Sequence, residues 1–135
     1  MLTIGNLPNG NGFTSLSSPS QWWVTDQLAS VENQPNATYT YYADLRGYTR
    51  WALQATLTGT LAVQVYATVE DVASTSVVAW TDVTNTLFGA ATIAASGFYA
   101  DNAGKTEDAT WLKITVVASG GGTDDWTLNI NKLWR

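Results

Sequence analysis

Trp51-Ala52-Leu53-Gln54-Ala55-Thr56-Leu57, then Thr58-Gly59-Thr60, then Leu61-Ala62-Val63-Gln64-Val65-Tyr66-Ala67-Thr68-Val69 is the stretch that sets the fold class. Trp51, Leu53, Ala55 and Leu57 alternate with Ala52, Gln54 and Thr56. Beyond the tip, Leu61, Val63, Val65, Ala67 and Val69 alternate with Ala62, Gln64, Tyr66 and Thr68. Side chains on a strand point to opposite faces in turn, so a period of two puts one row on a core and the other on the far face. The three-residue, glycine-containing tip predicts a β-hairpin.

The same pattern closes the chain. Leu112, Ile114, Val116 and Ala118 alternate with Trp111, Lys113, Thr115 and Val117. Ser119-Gly120-Gly121-Gly122-Thr123-Asp124-Asp125 has turn composition, and Trp126, Leu128 and Ile130 follow in alternation. This predicts a second hairpin, with further strands over 21–28, 37–44, 77–83 and 90–95. No window combines helical apolar spacing with good helix formers, so helix is limited to a turn or two. Seven or eight short strands predict an all-β, antiparallel β-sandwich, jelly-roll or Greek-key like. Residues 1–20 differ: Gly5-Asn6-Leu7-Pro8-Asn9-Gly10-Asn11-Gly12 and Ser15-Leu16-Ser17-Ser18-Pro19-Ser20 are turn chemistry. Leu2, Ile4, Leu7, Phe13 and Leu16 dot that stretch with apolar residues a solvated tail does not need. The division expected is an extended arm, 1–20, and a sandwich domain, 21–135, that docks its arm on itself or on a neighbour.

Composition narrows the function. The 135 residues include no histidine and no cysteine, which leaves out His-based proton relays, thiol nucleophiles, disulfides and the usual zinc ligands. Six basic against eleven acidic residues give −5, a poor match to phosphate, so no nucleic-acid partner is expected. The apolar runs are too short for a membrane helix, and Met1-Leu2-Thr3-Ile4-Gly5 lacks the basic start of a secretory leader. Asn36-Ala37-Thr38 is then a chance match to a glycosylation acceptor. Only 13% of residues are charged, so the surface dehydrates at low cost and suits contact with other subunits.

Candidate chemistry is sparse. Lys105, Lys113 and Lys132 sit in no Ser-x-x-Lys motif. Glu70-Asp71, Asp101, Glu107-Asp108 and Asp124-Asp125 are the carboxylates from which an acid–base pair would be drawn, but all fall at strand ends or loops where carboxylates are ordinarily solvated. Asp124-Asp125 beside the glycine triplet, or Asp101-Asn102 near Asp108, supplies oxygen for calcium without EF-hand spacing. The expectation is a protein that is not an enzyme, with no cofactor and no metal.

Seven tryptophans are the unusual feature. Trp51 and Trp126 share a row with aliphatic residues and belong to the core. Trp111 lies on the opposite row, and Trp22-Trp23 point one each way. Trp80 and Trp134 complete the outward candidates, and Tyr42 takes the face opposite Tyr39 and Tyr41. Exposed aromatics anchor protein interfaces or stack on sugars. The candidate interface residues are Leu7, Phe13, Leu16, Trp22, Trp23, Trp111 and Trp134.

Several segments resemble those of small β-sandwich structural proteins of tailed-bacteriophage virions: Tyr42-Ala43-Asp44-Leu45-Arg46-Gly47-Tyr48, Leu57-Thr58-Gly59-Thr60-Leu61, Trp80-Thr81-Asp82-Val83-Thr84 and Trp111-Leu112-Lys113-Ile114, within residues 38–134. The resemblance implies a virion component made in the host cytoplasm. It would be a capsid decoration (cement) protein on the major capsid protein or other virion proteins, or a tail or fibre module binding a host receptor or glycan. It also implies a homo-oligomer, a homotrimer before a dimer.

Overall fold

The computed structural model describes residues 22–70 and 79–134. Among the described residues eight strands and one short helix follow in the order β1 (Trp22–Gln34), β2 (Ala37–Asp44), β3 (Tyr48–Thr58), β4 (Leu61–Thr68), β5 (Thr81–Asp82), α1 (Thr84–Phe88), β6 (Gly97–Ala100), β7 (Trp111–Ala118) and β8 (Asp124–Trp134). They form two four-stranded antiparallel sheets: sheet A in the order β1-β8-β3-β6, sheet B in the order β2-β7-β4-β5. The expected all-β sandwich is what forms.

The pairing has a simple logic. β1 pairs with β8, β2 with β7, β3 with β6 and β4 with β5. The chain is a long ribbon folded at its middle and then rolled, so that β3 also meets β8 and β4 also meets β7. That is a double-sheet jelly roll.

Both expected hairpins are overturned by it. β3 lies in sheet A and β4 in sheet B, and β7 and β8 are likewise divided. Each glycine-bearing tip is an arch across the ~10 Å gap between sheets. An arch and a hairpin place the same alternate residues inward, so periodicity cannot distinguish them. The inward rows were legible: Leu53, Val63, Val65, Leu112, Ile114, Val116, Leu128 and Ile130 are fully buried, Trp126 is 1% exposed and Trp51 4%. Val69 leaves that row; it lies beyond the end of β4 and is 72% exposed.

The arches share one end of the sandwich and are bonded together. Asp124, expected in a solvated turn, is fully buried. Its Oδ1 accepts the Thr60 amide and its Oδ2 the Gly120 amide, both at 2.8 Å. The Ser119 amide donates to the Thr60 carbonyl, and the Gly121 amide to Asn36 Oδ1 at 2.8 Å. A Cβ on Gly59 or on Gly120 would lie 2.1 Å from Asp124 Oδ1. Glycine is therefore required at both tips because a carboxylate fills the space beside them.

Other boundaries move. The 21–28 strand runs on to Gln34 as β1. Of 77–83, residues 77–78 fall outside the described residues and only Thr81–Asp82 is strand. The 90–95 strand does not form: Ile93 alone bridges Val63, with amide–carbonyl bonds of 2.8 Å each way. Ala90, Ala91, Ala94 and Ala95 supply no large alternate row, and strand resumes at Gly97 as β6. α1 closes one end, its Phe88 ring meeting Trp51 and Tyr99 edge-on at 6.3 and 5.4 Å.

Candidate interaction surfaces

The outward face of sheet A is built from cross-strand rows. Thr25, Asn131, Ala52 and Ala100 stand side by side, and next to them Gln27, Asn129, Gln54 and Phe98. No charged side chain interrupts these rows, and Thr25 Oγ1 donates to Asn131 Oδ1 at 2.9 Å. A depression of 190 Å³ opens among Thr25, Ala52, Gln54, Phe98, Asn129 and Asn131. Trp23, 49% exposed, and Phe98, 78% exposed, stand on the two outer strands of this sheet. Trp23 pairs with Leu133, whose backbone is in turn opposite Arg50.

Sheet B presents a different face. Tyr42, Lys113 and Tyr66 are cross-strand neighbours on β2, β7 and β4. Trp80 folds back over them: its ring lies 6.0 Å from that of Tyr42, tilted by 37°. Lys113 Nζ sits 4.6 Å from the Tyr66 centroid and 5.2 Å from that of Trp80, so the ammonium is held by two ring faces. One row along, Arg46 covers Trp111 at 5.0 Å while pairing with Asp44 at 2.8 Å. The buried Trp111 Nε1 has no hydrogen-bond partner among the described residues.

The candidate interface residues are thus divided. Leu7, Phe13 and Leu16 lie outside the described residues, and of Trp22 only the backbone, paired with Trp134, is described. Trp23 and Trp134 belong to sheet A, with Trp134 against Gly47; Trp111 belongs to sheet B, on the outward face opposite to that of Trp23. Trp111 and Trp23 therefore do not form one patch. Sequence reasoning set Tyr42 on the face opposite Tyr39 and Tyr41 and named Trp80 among the outward candidates, but missed Lys113 as the cation between rings. It also missed Phe98, whose exposure depends on a strand assigned a few residues too early.

The carboxylate candidates are mostly tied into the fold. Burial pushes the Asp101 carboxyl up, but the Thr106 hydroxyl and the amides of Lys105, Thr106 and Gly104 outweigh it and hold it below the ordinary value. Thr106 Oγ1 in turn accepts Trp51 Nε1 at 2.9 Å, linking this loop to the core. Asp101 was expected to be solvated and is nearly buried instead, because those donors replace water. Glu70 and Asp108 line one 280 Å³ cleft with Lys105, and Glu70 Oε2 accepts the Ala79 amide at 2.8 Å. Asp71 is outside the described residues. Among the described residues no cluster of three potential metal ligands occurs, and no helix is long and apolar enough to cross a membrane.

The chain matches no protein-family model, no curated protein and no solved structure.

Proposed function

We propose that the chain is a non-enzymatic virion structural protein, a capsid decoration protein that binds capsid subunits and stabilises their contacts. The observation that carries this reading is the outward face of sheet A: uncharged Thr, Asn and Gln rows with Trp23 and Phe98 projecting from the outer strands. Amides and hydroxyls exchange water for partner groups at little net cost, whereas a carboxylate or ammonium would have to be paired. Two large rings standing out of such a face are the anchors an interface uses. Jelly rolls also recur in capsid and lectin domains, an analogy of fold and not of site. The resemblance of the Tyr42–Tyr48 and Trp80–Thr84 segments to phage virion proteins points the same way.

The test is particle composition. The chain should co-purify with capsids in stoichiometric amount, and particles stripped of it should open at lower temperature or chaotrope concentration. Deleting residues 1–20 should weaken attachment more than it lowers the melting temperature of the isolated chain. Particles that lack the chain would sink the reading.

The Tyr42–Trp80 pair on sheet B favours a second reading, a tail or fibre module that stacks a host glycan on these rings. Calorimetric titration with host polysaccharide separates the two. Saturable binding lost in Trp80→Ala supports the glycan module, and no binding leaves the decoration role.

A further inference from the structure

Among the described residues four strands form the sheet margins: β1 and β6 in sheet A, β2 and β5 in sheet B. A margin strand offers a row of unpaired N–H and C=O groups, and proteins protect it by brevity, bulges, proline or charge. β5 has two residues and β6 four. β1 is long, but two register shifts interrupt it, and Asp26 and Glu32 lie along it. β2 has none of these protections. Its eight residues pair with β7 without a shift. It contains no proline and no charge from Ala37 through Ala43, and its one carboxylate, Asp44, is engaged by Arg46. Thr38-Tyr39-Thr40-Tyr41-Tyr42 is composed of residues that favour strands.

We propose that β2 is a homotypic pairing edge, by which two copies of this chain join antiparallel about a twofold axis and merge their B sheets into one eight-stranded sheet. The sequence of β2 is what points to a second copy. Opposite residues of an antiparallel pair share a face, so the axis passes through a residue and not between two. With the axis at Thr40, Thr40 faces Thr40 and Thr38 faces Tyr42 on the outward side. Tyr39 faces Tyr41 on the inward side. Threonine pairs and aromatic pairs are stabilising cross-strand combinations. Asp44 then falls opposite Asn36, so no carboxylate meets its own copy, which matters in a chain carrying −5. An edge joined to itself closes at two copies, whereas a threefold ring needs two different patches.

The absence of cysteine gives a clean assay. Thr40→Cys and, as control, Thr56→Cys each place one thiol at an exposed strand position, on sheet B and on sheet A respectively. Under mild oxidation of the full-length chain at about 100 µM, a concentration that populates weak dimers, Thr40→Cys should form a covalent dimer at least about tenfold faster than Thr56→Cys, as expected for thiols held within disulfide reach. Thr40→Lys sets two like charges opposite and should weaken the dimer about fivefold in sedimentation equilibrium. Equal cross-linking rates overturn the proposal. So does a monomer at that concentration, the result if residues 1–21 cover the edge, or an oligomer indifferent to Thr40→Lys.

Discussion

Lys132 Nζ lies 2.7 Å from an Asp26 carboxylate oxygen, yet the two side chains differ sharply in exposure, 5% against 48%. Lys132 continues the inward row of β8 beyond Ile130, where its ammonium also donates to the Asp44 carbonyl at 3.0 Å and lies 4.4 Å from the Tyr48 ring centroid. The asymmetry predicts unequal mutants. Asp26→Ala strands a buried ammonium with a carbonyl and a ring, and should cost about 1–3 kcal/mol, below the fully buried case because Asp26 is half in water. Lys132→Met removes the buried charge and leaves a carboxylate that water solvates; it should cost less than about 1 kcal/mol. Urea unfolding of both variants checks this, and the opposite ranking would show that the pair acts as a surface bridge.

The inward rows make a second contrast. Leu53→Ala removes a fully buried side chain between the sheets and should cost about 2–5 kcal/mol. Val69→Ala, one residue beyond the row, should stay within about 0.5 kcal/mol. Thermal and urea unfolding of the pair measure where the core stops.

Those two residues also show what the sequence could and could not disclose. Period-two alternation reports which side of a strand is apolar, and it identified Leu53, Val63, Ile114 and Ile130 without a structure. It is silent on which sheet a strand joins, so the Thr58-Gly59-Thr60 arch was read as a hairpin. The deciding residue was Asp124, a carboxylate among glycines whose role depends on amides from two distant tips. The interaction surfaces were legible only in part for the same reason. That Tyr42 faces away from Tyr39 and Tyr41 follows from alternation, but the position of Trp80 over it, the Lys113 ammonium between rings and the exposed Phe98 depend on strand neighbours set by the roll.

The arch end supplies a third prediction. Gly120→Ala drives a methyl group into Asp124 and should destabilise far more than Gly121→Ala, which meets open space and is strained only by its φ of 77°. The expected costs are above about 2 kcal/mol for the first and about 1 kcal/mol for the second. Asp124→Ala relieves the clash but leaves the Thr60 and Gly120 amides without their acceptor, and should itself cost about 2–4 kcal/mol. Combining Asp124→Ala with Gly120→Ala should cost less than the sum, a non-additivity that a double-mutant cycle reads directly.

Acid sensitivity follows from two carboxyls held below 3.8. The Arg46 side-chain hydrogen bond lowers Asp44 against the opposing push of burial, and the Arg46 amide and the charges of Arg46 and Lys132 add to the lowering. Asp101 is lowered by the donors of its own loop, which overcome burial. In both, the unfolded chain takes up a proton more readily than the folded one. Their stabilisation is therefore complete above 3.8 and is lost as pH falls through the depressed values. Thr106→Val removes one of the Asp101 donors and the acceptor of Trp51 Nε1. It should cost about 1–3 kcal/mol at neutral pH and flatten the fall in stability below 3.8. Urea midpoints measured across the acid range test both.

The rolled ribbon has a consequence for synthesis. β8, the last strand, is the one that separates β1 from β3 in sheet A. A ribosome-bound chain that has emerged only through β7 therefore has β1 with no partner in its sheet and β3 held on one side by four residues of β6. Sheet B has all four of its strands by then, but its inward row faces a sheet A that still lacks Trp126, Leu128 and Ile130. Until those three residues clear the exit tunnel, the apolar surface that β8 covers in the finished sandwich stays open, which is the kind of exposure that invites association between incomplete chains.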